Sequence, residues 1–172
     1  MIEDWPTHIA VAVRVRQELG ARDRLMEYPP PAVAAEEGRI ELVEREIGPL
    51  DPRYRSFLGY ADGWRGFLQQ TDLFGTEQLL GGAPMGVAEE MLAALHDDAW
   101  ERLGVRRDEL HVMGASETST DLWWIARPGS RRGGQVWWFW GSDWETYPDF
   151  DEFFLAMVDY NRLELQRLEG KA

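Results

Sequence analysis

The sequence predicts an α+β domain in which an antiparallel sheet of about four strands packs against N-terminal helices and one long C-terminal helix. Apolar residues repeat at helical spacing before residue 62 and again after residue 150. Between residues 110 and 140, three short runs alternate as strands do. The chain has 172 residues and is 44% hydrophobic, which is enough for one sizeable core. We therefore expect residues 1–172 to form a single domain.

The first predicted helix begins at Thr7, a residue type suited to capping, and stops at Gly20. A strand is the alternative, because apolar residues also alternate from Ile9 to Val15. Helix is favoured, since Ala, Arg, Gln and Glu fill the other positions and no turn follows to build a hairpin. The expected buried face is Ile9, Ala12, Val15, Arg16 and Leu19. Three prolines at 29–31 then predict an extended connector.

Two more helices are predicted before residue 64. The first runs through Ile40 and Ile47 and ends at Gly48, which Pro49 follows. The second begins at Pro52. Its apolar face is Tyr54, Phe57, Leu58 and Ala61. We expect Asp62 and Gly63 to end this helix, with Gly63 at positive φ, which glycine adopts without strain.

The central part of the chain is predicted to alternate between strands and helices. Residues 67–74 form one strand, and a helical turn at 76–80 is capped by Thr76. Residues 87–103 form one helix. Its apolar residues are Met91, Leu92, Leu95 and Trp100. Three strands follow at 110–115, 121–127 and 135–140, the last two joined by the glycine-rich hairpin loop 128–134.

The last predicted element is a long helix that Asp149 or Asp151 caps. Its expected buried stripe is Phe153, Phe154, Met157, Val158, Asn161 and Leu165.

Catalytic and metal-binding patterns are missing from the sequence. There is no cysteine, which excludes disulfides, thiolate metal sites and cysteine nucleophiles. None of the three histidines stands in a zinc-binding motif, and no Walker loop or GxSxG occurs. The run His96-Asp97-Asp98 suits a hard cation, but a solvated helix end is the preferred interpretation. We expect no enzymatic activity, no metal and no cofactor.

The charge balance argues against nucleic acid and anionic membranes as partners. The formal net charge is -13 and the sequence pI is about 4.6, whereas nucleic-acid binding needs a basic surface. Residues 133–161 contain no Lys or Arg. The same stretch contains Asp143, Glu145, Asp149, Asp151, Glu152 and Asp159. The chain shows neither a basic signal-like start nor a long apolar run, so we expect a cytoplasmic protein.

Tryptophans crowd the last two predicted strands and the segment that follows them. Alternation places apolar residues on both faces, which predicts either a sheet covered on both sides or one aromatic face that is partly open. In the second case, acids rim the open face and a protein partner docks there. The expected partner-binding residues are Glu117, Asp121, Trp138, Trp140, Asp143, Trp144 and Glu145. Asp143 and Glu145 are placed in a loop before Pro148. A catalytic carboxylate pair drawn from Asp143, Glu145, Asp149 and Asp151 is the less favoured alternative.

An ordered set of motifs resembles a known family. Ile40-x-x-x-Glu44-x-x-Ile47-Gly48 is followed by Leu50-Asp51-Pro52-x-Tyr54-x-x-Phe57-Leu58. Asp62-Gly63-Trp64 and Asp72-Leu73-Phe74 come next, and Phe150-Asp151-Glu152-Phe153-Phe154 opens the last helix. The set is similar to the SUKH superfamily, and more narrowly to its Smi/Knr-type branch of cell-wall-assembly regulators. The resemblance covers residues 36–161 and leaves 1–35 as a helical extension with its proline-rich connector.

The resemblance implies an α+β domain that binds proteins and has no catalytic residues. Many bacterial members look like immunity proteins that neutralise polymorphic toxins, often nucleases, while fungal members act as regulators or scaffolds. One departure is the loop before residue 122, where the family often carries Gly-Gly and this chain has Glu117-Thr118-Ser119-Thr120-Asp121. We expect an immunity protein for a toxin with a basic domain. A regulatory or scaffold protein is the second interpretation, and a carbohydrate-binding domain is a distant third.

Overall fold

A six-stranded antiparallel sheet organises the computed structural model, which describes residues 1–141 and 143–170 without the side chains of Asp97 and Asp98. The strands follow chain order across the sheet. They are β1 (Trp64–Leu68), β2 (Thr71–Leu73), β3 (Leu110–Ser116), β4 (Asp121–Ala126), β5 (Val136–Trp140) and β6 (Asp143–Tyr147). The prediction of an α+β fold is confirmed, and the prediction of about four strands is wrong.

Seven α-helices surround the sheet within the residues just defined. They are α1 (Trp5–Arg22), α2 (Glu37–Ile47), α3 (Pro52–Leu58), α4 (Thr76–Leu79), α5 (Ala83–Ala93), α6 (Asp97–Leu103) and α7 (Phe150–Glu169). A short 3-10 helix, Arg107–Glu109, leads into β3. Helices α1, α3 and α7 pack together on one face of the sheet, and α5 covers β3 on the other.

Both faces of the central strand β4 are closed. The Trp123 ring meets Phe153 of α7 at 5.2 Å between centroids, and on the opposite face Trp124 lies 6.3 Å from Trp100 of α6. Trp123 and Trp124 are fully buried. Strand β5 is covered at its start and more open at its end, where Trp140 is 39% exposed. Covered and open areas therefore coexist on one sheet.

The two missed strands have different causes. The predicted strand 67–74 is a hairpin that turns at Gln69 and Gln70, and Gln69 adopts φ 52, unusual for a residue other than glycine. Because neither residue is a typical turn former, the sequence did not mark this turn. The segment placed in a loop before Pro148 is strand β6, which pairs with β5 from Val136↔Tyr147 to Trp140↔Asp143.

Several predicted helix boundaries change as well. Helix α1 is capped by the Asp4 carboxylate, which accepts from the Thr7 amide at 3.1 Å, and it continues past Gly20 to Arg22. The N-cap of α4 is Gly75, with Thr76 the first helical residue. The helix predicted for 87–103 is two helices, α5 and α6, and no Gly or Pro marks the break between them.

Gly63 has the expected positive φ, at 84°, but it does not cap a helix. Helix α3 ends at Leu58, and Gly63 leads directly into β1. A Cβ at this position would lie 2.5 Å from the Gly75 amide nitrogen, so the backbone approach also requires glycine. The predictions for α2 and α7 hold. Gly48, at φ 93, is the C-cap of α2, and Asp149 caps α7, whose predicted stripe is buried throughout.

Candidate functional site

A row of three residues crosses the open end of the sheet. Asp121 of β4 lies opposite Trp140 of β5, and Trp140 lies opposite Asp143 of β6. Directly paired residues point to the same face of an antiparallel sheet, so the indole stands between two carboxylates. Trp140 and Asp143 are exposed, and Asp121 is half-buried. We call Asp121, Trp140 and Asp143 the acid–Trp–acid row.

Trp138 supports this row from one pair further along the hairpin. Its indole Nε1 donates a hydrogen bond of 2.7 Å to Asp121 Oδ1. Its ring contacts those of Trp140 and Tyr160 edge to face, at 5.0 and 5.3 Å between centroids. Trp138 is half-buried. It therefore orients Asp121 and Trp140, and its own ring packs against Tyr160 of α7.

Glu145 lies opposite Trp138 and accepts hydrogen bonds from two tyrosine hydroxyls. Its Oε2 accepts from the hydroxyls of Tyr147 at 2.9 Å and Tyr160 at 3.0 Å. Burial raises the pKa of both tyrosines, that of Tyr147 well above the ordinary value, and the hydrogen bond to the Glu145 carboxylate raises each further. Glu145 is half-buried, and its carboxylate links β6 to α7 through the Tyr160 hydroxyl. It therefore contributes to the packing of α7 as well as to the negative charge of this end of the sheet.

Two predicted site residues lie away from the row. Trp144 projects to the opposite face, as strand alternation requires, and the Arg102 guanidinium sits 4.5 Å from its ring centroid. It lines a cleft of about 400 Å³ between α5, α6 and the hairpin. Glu117 is exposed in the β3–β4 loop, at the same end of the sheet as Asp121. The structure thus brings together five of the seven predicted residues, places Trp144 on the opposite face and leaves Glu117 in the loop before Asp121.

Three acids of residues 133–161, the segment that contains no Lys or Arg, form ion pairs with arginines outside that segment. Arg53 of α3 lies 3.4 Å from Asp149 and 3.3 Å from Asp151. Asp159 pairs with Arg162 at 2.7 Å, just beyond the segment. These three carboxylates are therefore paired with arginines in the folded chain, and Asp149 also caps α7.

A second site was missed by sequence reasoning. An open cleft of about 630 Å³ lies between α2, α4, α5 and the adjacent ends of β3 and β4. We call it the Arg127 cleft. It is lined by Leu42, Glu46, Ile47, Leu79, Leu80, Gly81, Met85, Glu89, Leu110, His111 and Arg127. These residues come from five separate segments of the chain. The sequence offered little indication of the cleft beyond a polar residue at the end of each of two strands, His111 in β3 and Arg127 after β4.

His111 forms part of the wall of this cleft. It is 3% exposed, and its Nε2 lies 3.1 Å from the Pro49 carbonyl oxygen. Burial lowers the pKa of His111 to about 4, with the positive charge of Arg127 acting in the same direction. The imidazole is therefore neutral at physiological pH and donates from Nε2 to Pro49.

Among the residues and side chains that the structure describes, no group of three or more His, Asp or Glu is placed to hold a metal ion. The less favoured cation site at His96 and the preferred solvated helix end both involve the side chains of Asp97 and Asp98, which lie outside the described set. Within the same described part, no helix is both long and apolar enough to cross a membrane.

Comparison with known proteins does not extend these observations. No protein-family model and no curated protein sequence matches the chain. The resemblance to the SUKH superfamily therefore remains a prediction from the motifs.

Proposed function

We propose that this chain is a non-enzymatic protein-binding domain whose acid–Trp–acid row receives a Lys or Arg side chain of a basic protein partner. The observation that carries the proposal is the direct pairing of Trp140 with Asp121 on one side and Asp143 on the other. An indole face attracts a cation, and flanking carboxylates add charge-assisted hydrogen bonds. Tryptophan is also a frequent anchor of protein interfaces.

The net charge of the chain supports the same partner chemistry. At -13 the protein attracts a basic protein over a long range and repels nucleic acid. Association with a basic nuclease would be fast, and the acidic surface would occupy the positions that nucleic acid uses on the nuclease.

The biological role that fits best is that of a cytoplasmic immunity protein neutralising a toxin. It rests on the SUKH resemblance together with the acidic surface. A regulatory or scaffold role is the second candidate, since it uses the same surface with a different partner. The engagement of Asp149 and Asp151 by Arg53 favours binding over carboxylate catalysis, because both acids already have structural partners.

The test compares capture of proteins from a lysate of the native host by the wild-type chain and by two variants. Trp140→Ala removes the aromatic anchor, and Asp143→Lys reverses one flanking charge. Tyr60→Ala and Glu41→Lys are matched controls, because Tyr60 is 47% exposed and Glu41 is an exposed acid of α2. A specific partner should be retained by both controls and lost or weakened with both site variants. Equal capture by all five proteins would place the interface elsewhere.

Binding rates and toxicity then separate the remaining roles. With the purified partner, Asp143→Lys should slow association several-fold at low salt, while Trp140→Ala should speed dissociation about tenfold or more. An immunity role further requires that the partner be toxic on its own and harmless on co-expression with the wild-type chain. A non-toxic partner would support the regulatory role. Charge reversal at Glu145 is a poor test, since it also removes the acceptor of two tyrosine hydroxyls.

A further inference from the structure

The Arg127 cleft has the composition of a small-molecule site. Six of its lining residues are apolar: Leu42, Ile47, Leu79, Leu80, Met85 and Leu110. Ligand sites typically combine apolar walls with a few polar groups, and a volume of about 630 Å³ is within their usual range. We propose that this cleft binds a small organic carboxylate with an apolar body, and that the Arg127 guanidinium receives the carboxylate group.

Arg127 is held in place and keeps donors available for a ligand. Its Nε donates to the Leu110 carbonyl oxygen at 3.2 Å, which fixes the plane of the guanidinium. Within 1–141 and 143–170, this is the one hydrogen bond that the Arg127 side chain donates, so its two Nη groups carry N–H donors that no described residue accepts. A carboxylate accepts two parallel N–H bonds from such a group.

No described acid near the cleft forms an ion pair with Arg127. Glu89 lines the cleft but pairs with Arg107. Asp108, whose pKa is lowered chiefly by a hydrogen bond from Arg106 and more weakly by Arg127, forms its ion pair with Arg106 at 2.8 Å. Glu46 is exposed on α2. The Arg127 guanidinium therefore lies beside apolar walls without an ion-pair partner among the described residues, while Glu46 adds an exposed negative charge to the cleft.

His111 completes the polar part of the cleft without adding charge. Because its Nε2 donates to Pro49, the lone pair stays on Nδ1. A neutral imidazole does not compete with Arg127 for the carboxylate. The adjacent positive charge of Arg127 lowers the pKa of His111, so a bound anion is expected to raise it.

This cleft is separate from the proposed protein-binding surface. Asp121 opens β4 and Arg127 follows its last residue, so six residues at about 3.3 Å each place the two sites roughly 20 Å apart. Variants of one site should leave the other unchanged. The binding experiments on the two sites are therefore independent, and a negative result for one site does not contradict the proposal for the other.

The experiment titrates the full chain with 4-phenylbutyrate and follows amide shifts by NMR. The neutral analogue 4-phenylbutan-1-ol and the cationic 4-phenylbutylamine are titrated in parallel. We expect saturable binding of the carboxylate with a Kd on the order of 1 mM, at least tenfold tighter than that of either analogue. The amides of Leu79, Met85 and Leu110 should shift, and the pKa of His111 should rise in the complex.

Variants test the assigned role of Arg127. Arg127→Met should weaken carboxylate binding tenfold or more. Arg127→Lys should weaken binding less, because lysine keeps the positive charge but cannot donate two parallel hydrogen bonds as the guanidinium does. Arg131→Met is the control, since Arg131 is exposed in the nearby loop 128–134. The proposal is overturned by equal binding of the alcohol, by an equal effect of Arg131→Met, or by shifts confined to other regions. Lack of saturation up to about 10 mM in the wild-type chain also overturns it, whatever the variants do.

Discussion

The Trp138 indole and the Asp121 carboxylate join strands β4 and β5 through a hydrogen bond of 2.7 Å between Nε1 and Oδ1. The two residues are diagonal neighbours on the same face, since Trp138 pairs with Trp123 and Asp121 pairs with Trp140. Asp121 therefore contributes to the stability of the hairpin and to the negative charge at its surface.

Removing the Asp121 carboxylate should destabilise the protein. In Asp121→Ala the half-buried indole N–H loses its acceptor, and the free energy of unfolding should fall by about 1 to 2 kcal/mol. Asp121→Asn keeps an acceptor oxygen and should cost less than half as much. Urea unfolding followed by circular dichroism measures both. Glu117→Ala, in the adjacent loop, should change stability by less than about 0.5 kcal/mol. A similar loss in the Asp121 and Glu117 variants would contradict a specific role for the bond.

Glu145 should couple energetically to Tyr160. In a double-mutant cycle of Glu145→Gln and Tyr160→Phe, we expect a coupling energy of about 1 kcal/mol, because the hydroxyl donates to the carboxylate at 3.0 Å. Glu145→Ala should cost more than Glu145→Gln, since it leaves two hydroxyls without this acceptor. Thermal or urea unfolding gives the four free energies. Additive effects of the two substitutions would mean that the bond does not stabilise the packing of α7 on β6.

Substitutions of two glycines should have opposite signs. Gly63→Ala should reduce stability by more than about 2 kcal/mol, because its φ is 84° and its Cβ would lie 2.5 Å from the Gly75 nitrogen. Gly38→Ala, within α2, should raise stability by about 0.5 to 1 kcal/mol, because nothing lies within 4 Å of the new Cβ and alanine favours helix. Melting temperatures and urea midpoints of the two variants measure this. An unchanged Gly63→Ala protein would show that the backbone contact relaxes freely.

Stability should depend on pH through His111. Its pKa is about 4 in the folded chain and about 6.5 when unfolded, so the unfolded chain binds the additional proton between these values. The contribution is fully present above pH 6.5 and is lost as the pH falls towards 4. Between pH 7.5 and 5, the loss should be on the order of 1 to 2 kcal/mol. His111→Gln should be less stable than wild type at pH 7.5 and should lack most of this slope. A wild-type slope that persists in His111→Gln would assign it to other groups.

Elements with strong local signals were predictable from the sequence. The buried stripe of α7 follows from the helical spacing of its apolar residues. The end of α2 at Gly48 follows from the ease with which glycine adopts a positive φ, which is likewise a local property of the sequence. The hairpin at Gln69 and the break after Ala93 were not predictable, because neither place carries a typical turn residue or a helix breaker.

The sequence was sufficient to identify the residues of the candidate site but not to predict how they are arranged in space. The acids and tryptophans of the hairpin were identified, but placing 143–147 in a loop hid the alternation that separates Trp144 from Asp143 and Glu145. The Arg127 cleft was missed because its walls come from distant segments that only the folded chain brings together.

Strand β6 is the last strand of the sheet, and an outermost strand is a place where another chain can add by backbone pairing. Its sequence carries Asp143 and Glu145 and is followed by Pro148, which has no amide hydrogen to donate. Two copies of the protein approaching through this strand would bring like charges together. Edge-to-edge pairing of two copies through β6 is therefore opposed by electrostatic repulsion.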